Sequence, residues 1–349
     1  MEFQDVVAGG SFVSYALRHP LEGLSSFGPT LSEATFGLLG SSFNPERDIS
    51  GIEGKTIFVT GGNAGIGRET VLQLAKHRPA RIYLAARTES KAQQAITSIQ
   101  QQLPSPVDIR HIPLDLCSFK SIRAAAAKFQ ADSDRLDILI LNAGTMGNPP
   151  VKTEDGFEIQ FGTNHVGHFL LTKLLLPTLT KTVADLQACR TTPDVRVITV
   201  SSVAHVTSPN TLEGMTSTPE LLAGSTWVRY GASKAANILF ASELARRHPE
   251  LLSVAVHPGA VNSDLYAHAK SISAIMKQSL GLTASCFFRN ISSGAFNSLW
   301  AAGTARENLV NGAYYTPVGY RSKGTAFVQD ADVARGLWEW TEAQTAERE

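Results

Sequence analysis

The stretch Thr60-Gly61-Gly62-Asn63-Ala64-Gly65-Ile66-Gly67 decides the fold. The apolar run Ile57-Phe58-Val59 leads into it, and a helical pattern over 68–77 leads out. Strand, glycine turn and helix together are the context of a dinucleotide site. Gly61 and Gly65 permit backbone angles that a side chain would forbid. Gly67 lets the helix pack tightly against the strand. The helix N-terminus then offers free N–H groups and partial positive charge to a pyrophosphate. The spacing is Gly-x3-Gly-x-Gly, which differs from the usual Gly-x-Gly-x-x-Gly fingerprint. A purely structural turn has the same local sequence, so the rest of the chain must arbitrate.

Outward from this turn the pattern is regular. Strands are expected at 55–60, 81–85, 109–113, 137–141, 195–200, 253–257 and 313–316. Helices are expected at 67–76, 89–102, 118–130, 157–179 and 230–248, with Ser118 as an N-cap. Strands alternating with helices predict an α/β fold, a Rossmann-type doubly wound parallel sheet of about seven strands with helices on both faces. Ligands then belong at the carboxyl ends of the strands. One domain is expected over 48–349. Residues 1–47, punctuated by glycine and proline, are expected to be a flexible or loosely docked extension. Their low basic content weakens a reading as a membrane-interfacial segment without removing it.

The chain has 349 residues, 43% of them apolar and 18% charged, so a sizeable core is available. A formal net charge of +0 argues against nucleic acid as a partner. Cys117, Cys189 and Cys286 form neither a metal-spacing pattern nor a disulfide framework, which favours a reducing compartment and a cytoplasmic location. No apolar run is long enough to cross a bilayer.

The loops after the strands carry the chemistry. Ala86-Arg87 follows the second strand. Ala86 removes the carboxylate that would bind an adenosine ribose, and Arg87 can pair with a 2′-phosphate, which favours NADP(H) over NAD(H). A solvated Arg87 is the plainer alternative. Asp115-Leu116 follows the third strand, where Asp115 either accepts from an adenine amino group or caps a helix. Asn142-Ala143-Gly144 follows the fourth, with small residues that let the backbone pass close to a ribose. Ser201-Ser202 follows the fifth strand, and Tyr230-Gly231-Ala232-Ser233-Lys234 opens the next long helix. Tyr and Lys four apart share a helical face. A phenol titrates at about 10, and an ammonium beside it favours the phenolate. Such a tyrosine can exchange a proton with an alcohol or carbonyl oxygen. Ser202 can polarise the same oxygen.

Taken together and in order, these motifs resemble the short-chain dehydrogenase/reductases of the classical type, over roughly residues 54–319. The set is Thr-Gly-x3-Gly-x-Gly at Thr60 to Gly67, Asn142-Ala143-Gly144, Ser202, Tyr-x3-Lys at Tyr230 and Lys234, and Pro258-Gly259. The resemblance implies Tyr230 as acid/base and Lys234 as a nicotinamide-ribose ligand. It implies Ser202 beside the substrate oxygen, Ser201 nearer the cofactor, and Asn164 holding a water in a proton relay. Pro258-Gly259 and the residues after it, Val261 and Ser263, would flank the nicotinamide. Ser263 stands where the family often has threonine. Asn164-His165-Val166-Gly167-His168 and Ser201-Ser202-Val203-Ala204-His205 are closest to the retinol dehydrogenase-like branch and its fungal relatives. That branch implies a small-molecule carbonyl or alcohol substrate, bulky and apolar, retinoid-, steroid- or polyketide-like. His165 and His168 are expected to be packing residues, with no metal. Many members pair as homodimers through the two long helices. Segments near 203–229 and 263–295 read either as a substrate lid, with Trp227 and Tyr266 lining it, or as surface helices packed on the core. A non-catalytic cofactor-binding scaffold is the alternative of a different class. It draws support only from the extension.

Overall fold

The computed structural model describes residues 43–259, 261 and 291–346. Its first half runs β1 (Thr56–Thr60), α1 (Gly65–Ala75), β2 (Arg81–Ala86), α2 (Glu89–Gln100), β3 (Ile109–Pro113), α3 (Phe119–Asp132) and β4 (Ile138–Leu141). The second half adds α4 (Gly167–Ala188), β5 (Arg196–Val200), α5 (Thr226–Arg247), β6 (Leu252–Val256), α6 (Ile291–Gly303), β7 (Tyr314–Thr316), β8 (Tyr320–Ser322) and α7 (Ala331–Thr345). The strands form one sheet in the order β3-β2-β1-β4-β5-β6-β7-β8. All pairs are parallel except β7 with β8. The strand order reverses between β1 and β4, and a crevice opens there at the carboxyl ends.

The apolar strand runs follow from burial on both faces. On β1, Ile57 and Val59 pack with Val71 and Leu74 of α1, while Phe58 turns to the opposite face and meets Phe129 of α3. The doubly wound sheet is as expected, with an eighth, antiparallel strand that its three-residue length hid.

Several boundaries differ for physical reasons. The helix expected at 157–179 is interrupted and longer. A short helical turn Ile159–Phe161 passes into a wide π-type turn Gly162–Val166, and α4 then continues to Ala188 through Pro177. The threonine-rich end stays helical because Leu179 and Val183 are buried, while Thr180 and Thr182 satisfy their hydroxyls on the carbonyls of Leu176 and Thr178. Helix α5 starts four residues before Tyr230, capped by Ser225, whose hydroxyl accepts the Val228 N–H at 3.3 Å. Ser118 precedes α3, yet its side chain makes no cap bond. Asp155 accepts the Phe119 N–H instead, at 2.8 Å.

Among the expected lid residues, Met215 and Leu221 are fully buried in the core, so 203–223 reads as packed surface structure. Residues 291–295 begin α6, which lies on α1, while 262–290, with Tyr266, fall outside the described residues. The expected extension is described only from Phe43, whose ring meets Phe296 of α6 at 5.6 Å. Residues 1–42 lie outside the description. Trp338 of α7 packs on Phe169 of α4 at 4.9 Å and on Phe240 of α5 at 5.9 Å, so the chain's own last helix covers part of the surface where a second copy was expected. Among the described residues no helix is long and apolar enough to cross a membrane.

Candidate active site

A cavity of about 630 Å³ opens at the strand ends around the β1/β4 switch point. That volume suits a cofactor-sized ligand. Gly61, Asn63, Ala64, Gly65, Ile66 and Gly67 line one end, and Arg87, Asp115 and Leu116 continue it. Asn142, Ala143 and Gly144 form the floor, with Ser201, Tyr230, Lys234 and Pro258 at the far end. The sequence places these residues within reach only through the sheet.

At the glycine turn the backbone comes very close. Gly61 and Gly65 have φ of +67° and +52°. A Cβ on Gly67 would stand 2.2 Å from the Gly61 carbonyl oxygen, so α1 begins in contact with the turn only because Gly67 lacks a side chain. Thr60 is fully buried and does not line the cavity. Its hydroxyl oxygen accepts the N–H groups of Asn142 and Ala143, both at 2.9 Å, and so ties β1 to the floor. The Asn142 amide donates to the Thr60 carbonyl at 2.9 Å. Asp115 lines the cavity and accepts the Cys117 N–H at 3.0 Å within the turn before α3, so it is not the cap of that helix. Arg87 is exposed and makes no ion pair among the described residues.

At the other end, Tyr230 and Lys234 lie one turn apart on α5 and are both buried. The Lys234 ammonium sits 5.5 Å from the Tyr230 ring centroid and donates to the Val200 carbonyl at 3.0 Å. Burial pulls its pKa down to about 8. Ser201 lines the cavity and donates to the Lys234 carbonyl at 2.7 Å. The Ser202 hydroxyl accepts the Ala204 N–H at 3.2 Å and lies just outside the cavity lining. Asn164 is fully buried in the π-type turn. Its carbonyl oxygen Oδ1 accepts the Thr145 N–H at 2.8 Å, and Nδ2 donates to Thr145 O and Ser233 Oγ, each at 3.0 Å. π-Type turns inside helices recur at functional sites. Gly259 has φ +89°. Val261 packs against Gly294 of α6. Neither lines the cavity, and Ser263 lies outside the described residues.

The paired histidines are tied to protein groups. His168 Nδ1 lies 3.0 Å from the Asn164 carbonyl, which can only accept, so the proton is on Nδ1. Its Nε2 therefore accepts from the Thr60 hydroxyl at 2.9 Å. His165 meets Thr341 of α7 at 3.1 Å. Burial holds their pKa values at about 4 and about 3 respectively. Among the described residues no cluster of three or more His, Cys, Asp or Glu is placed to hold a metal.

Sequence reasoning missed Cys117, Thr145, Met146, Asn148, Ile159 and Thr163, which also line the cavity. Thr145 and Met146 directly follow Asn142-Ala143-Gly144, and Cys117 follows Leu116, so adjacency was a usable signal there. Nothing local marks Asn148, Ile159 or Thr163. Trp227 packs beside Met146, Ala204 and Tyr230 in a small apolar cluster at this end.

A family model described as short chain dehydrogenase matches residues 55–213. The chain is 35% identical to a short-chain dehydrogenase/reductase of Armillaria gallica over 85% of this chain and 92% of that one. It is 38% identical to human retinol dehydrogenase 13 over 82% of this chain and 83% of that protein. Among solved structures, an uncharacterized protein from Mycobacterium paratuberculosis matches with a TM-score of 0.64 and 30% identity, covering 87% of this chain and 98% of that one.

Proposed function

This chain belongs to the short-chain dehydrogenase/reductase family of oxidoreductases, and we propose that it is an NADP(H)-dependent member interconverting a carbonyl and an alcohol on a bulky apolar small molecule. One observation carries the reading: Tyr230 and Lys234, far from the glycine turn in sequence, share one cavity with it. The residues fit the cofactor. Gly61, Gly65 and Gly67 leave the main chain bare for a pyrophosphate, and Arg87 stands exposed at the same cavity beyond Ala86, where a 2′-phosphate would meet it. Asp115, Leu116 and Asn142-Ala143-Gly144 would flank the adenosine, and Lys234 and Pro258 the nicotinamide end. A nicotinamide held there would supply or take the hydride.

The chain's own residues then manage the proton. In reduction the Tyr230 hydroxyl gives its proton to the substrate oxygen as that oxygen gains negative charge, and in oxidation it takes the proton back. The Ser202 hydroxyl donates to the same oxygen and steadies its charge. Lys234 is an ammonium below about pH 8 and stabilises the phenolate that Tyr230 leaves behind. Asn164 sits behind this group, held by Thr145 and Ser233, in the place where the family's proton relay would put a water. The apolar cluster of Met146, Ala204 and Trp227 beside Tyr230 supports an apolar substrate.

The test is NADPH oxidation with a panel of bulky ketones and aldehydes, retinal among them, comparing wild type with Tyr230→Phe. The variant should bind NADPH within about threefold of wild type and lose about a thousandfold in turnover. Undiminished turnover in Tyr230→Phe would refute the mechanism. Intact cofactor binding with no turnover of any substrate by wild type would favour a scaffold.

A further inference from the structure

Immediately before Tyr230 stands a buried arginine that the proposed proton chemistry does not use. Arg229 is 4% exposed and Glu158 is fully buried. Arg229 Nη1 donates to Glu158 Oε1 at 3.0 Å, and Nη2 donates to the Asn148 carbonyl at 2.9 Å. The other carboxylate oxygen of Glu158 accepts the N–H groups of Gln160 and Phe161, at 2.9 and 2.8 Å, and so caps the turn that leads to Asn164. Asn148 belongs to the loop that brings Met146 into the cavity, and its Oδ1 accepts from the Thr145 hydroxyl at 2.6 Å. One guanidinium thus reaches three elements at once: the first turn of α5, the turn before Asn164, and the loop 145–148.

A second bridge runs alongside. Gln160 Oε1 accepts the Gly147 N–H at 3.2 Å, and its Nε2 donates to the Thr226 hydroxyl, also at 3.2 Å. Both bridges start from the same helical turn, cross the same loop and end on the first turn of α5. Fold stability alone is a poor reason for this arrangement. A buried ion pair is often no more stable than apolar residues of similar volume, and its best-attested use is to fix register. Here a further cost is accepted, since the buried Arg229 Nε has no hydrogen-bond partner.

We propose that Arg229 and Glu158 are positioning residues that set the loop 145–148 and the Asn164 turn against Tyr230, and so fix the substrate wall relative to the acid/base. The assignment rests on the oxidoreductase reading above for its kinetic consequence, though not for its structural one. A displacement of about 1 Å at a reacting group costs on the order of a hundredfold in rate. The clamp therefore acts on turnover, while the glycine turn, which it does not touch, keeps its affinity for cofactor.

The experiment compares wild type, Arg229→Met, and Arg229→Met with Glu158→Gln. The double variant leaves no unpaired buried charge, and the glutamine oxygen keeps the cap. Each protein is assayed well below its own melting midpoint. Turnover should fall at least thirtyfold in both variants, with NADPH affinity within twofold of wild type. Amide exchange should quicken at least tenfold in 145–148 and stay unchanged in 61–67. A double variant with turnover within threefold of wild type, or with unaltered exchange in 145–148, overturns the clamp. The exchange measurement needs no substrate, so it judges the clamp even if the oxidoreductase reading fails. Failure of that reading is seen separately, as Tyr230→Phe with undiminished turnover.

Discussion

At the glycine turn the backbone itself faces the cavity: the approach of α1 to Gly61 works because Gly67 has nothing where a methyl would stand 2.2 Å from a carbonyl oxygen. At the opposite end of the same cavity side chains do the holding. Asn164, Ser233, Thr145, Glu158, Gln160 and Arg229 are bonded to one another or to a neighbouring main chain, across sequence separations as large as 81 residues. Thr60 and His168 join the two ends, since one hydroxyl serves both the floor of the cavity and the imidazole beside Asn164. The difference teaches that a surface presented to phosphates can be made from absence, whereas a proton-transfer site needs groups fixed in all directions. The first kind tolerates little addition, and the second tolerates little loss of polarity or charge balance.

Acid is the broadest way to break the comparison. His165 and His257 are held by burial at pKa values of about 3, and His168 and His205 at about 4, against 6.5 when exposed. Between those values the unfolded chain binds protons that the folded chain refuses. Stability from these groups is therefore complete above pH 6.5 and falls as pH drops towards 4. Each buried imidazole withdraws stability as the pH falls from about 6.5 towards 5. Lys234 works in the same direction higher up: its burial cost is in force below about pH 8 and is relieved as pH rises towards 10.5. Urea midpoints at pH 7.5 and pH 5 should differ sharply. All four imidazoles flank the side-chain end, beside Asn164, Ser202 or Pro258, so amide exchange at pH 5 should quicken there before it does at the glycine turn. Equal midpoints would mean the imidazoles are not buried as described.

Gly67→Ala sharpens the contrast from the other side. The added methyl meets backbone atoms, so the turn or α1 must shift, and NADPH affinity should fall about a hundredfold, roughly 2.7 kcal/mol. The Arg229–Glu158 end should be unaffected, with its exchange rates unchanged. A Gly67→Ala protein that binds NADPH normally would show that close backbone approach is not what makes that end work. The smallest effect is expected at Arg87, an exposed side chain. Arg87→Ala should cost about tenfold in NADPH affinity and leave NADH unaltered, as titrated by protein fluorescence. An equal loss for both cofactors would remove the 2′-phosphate from its role.

Legibility follows the same division. The strand–turn–helix signature, the strand alternation and Tyr230 with Lys234 at helical spacing were readable because each is a local rule. The continuation of α4 past Leu179 to Ala188 was not, because it depends on burial of residues such as Val183 rather than on propensity. Thr60 opens the glycine motif, and nothing in its neighbours along the chain says where its hydroxyl points. It turns to Asn142 and Ala143, which lie more than 80 residues away. Ser118 was read as a cap from its residue type, while Asp155 fills that role from another loop. Helices α6 and α7 and strand β8 went unread: α7 is recognisable by what it covers, and β8 is three residues long.

By itself the sequence determined the α/β class, the glycine turn and the residues with the right chemistry, because period, spacing and side-chain type are properties of neighbours along the chain. The tertiary structure decided which of those residues face the cavity and which stand behind it. It put Ser201 at the cavity and Ser202 beside it, tied Thr60 to Asn142 and Ala143, and brought Arg229, Glu158 and Asn148 together. Those assignments depend on how helices pack across the sheet, and packing direction is fixed by contacts between residues that sequence proximity does not link.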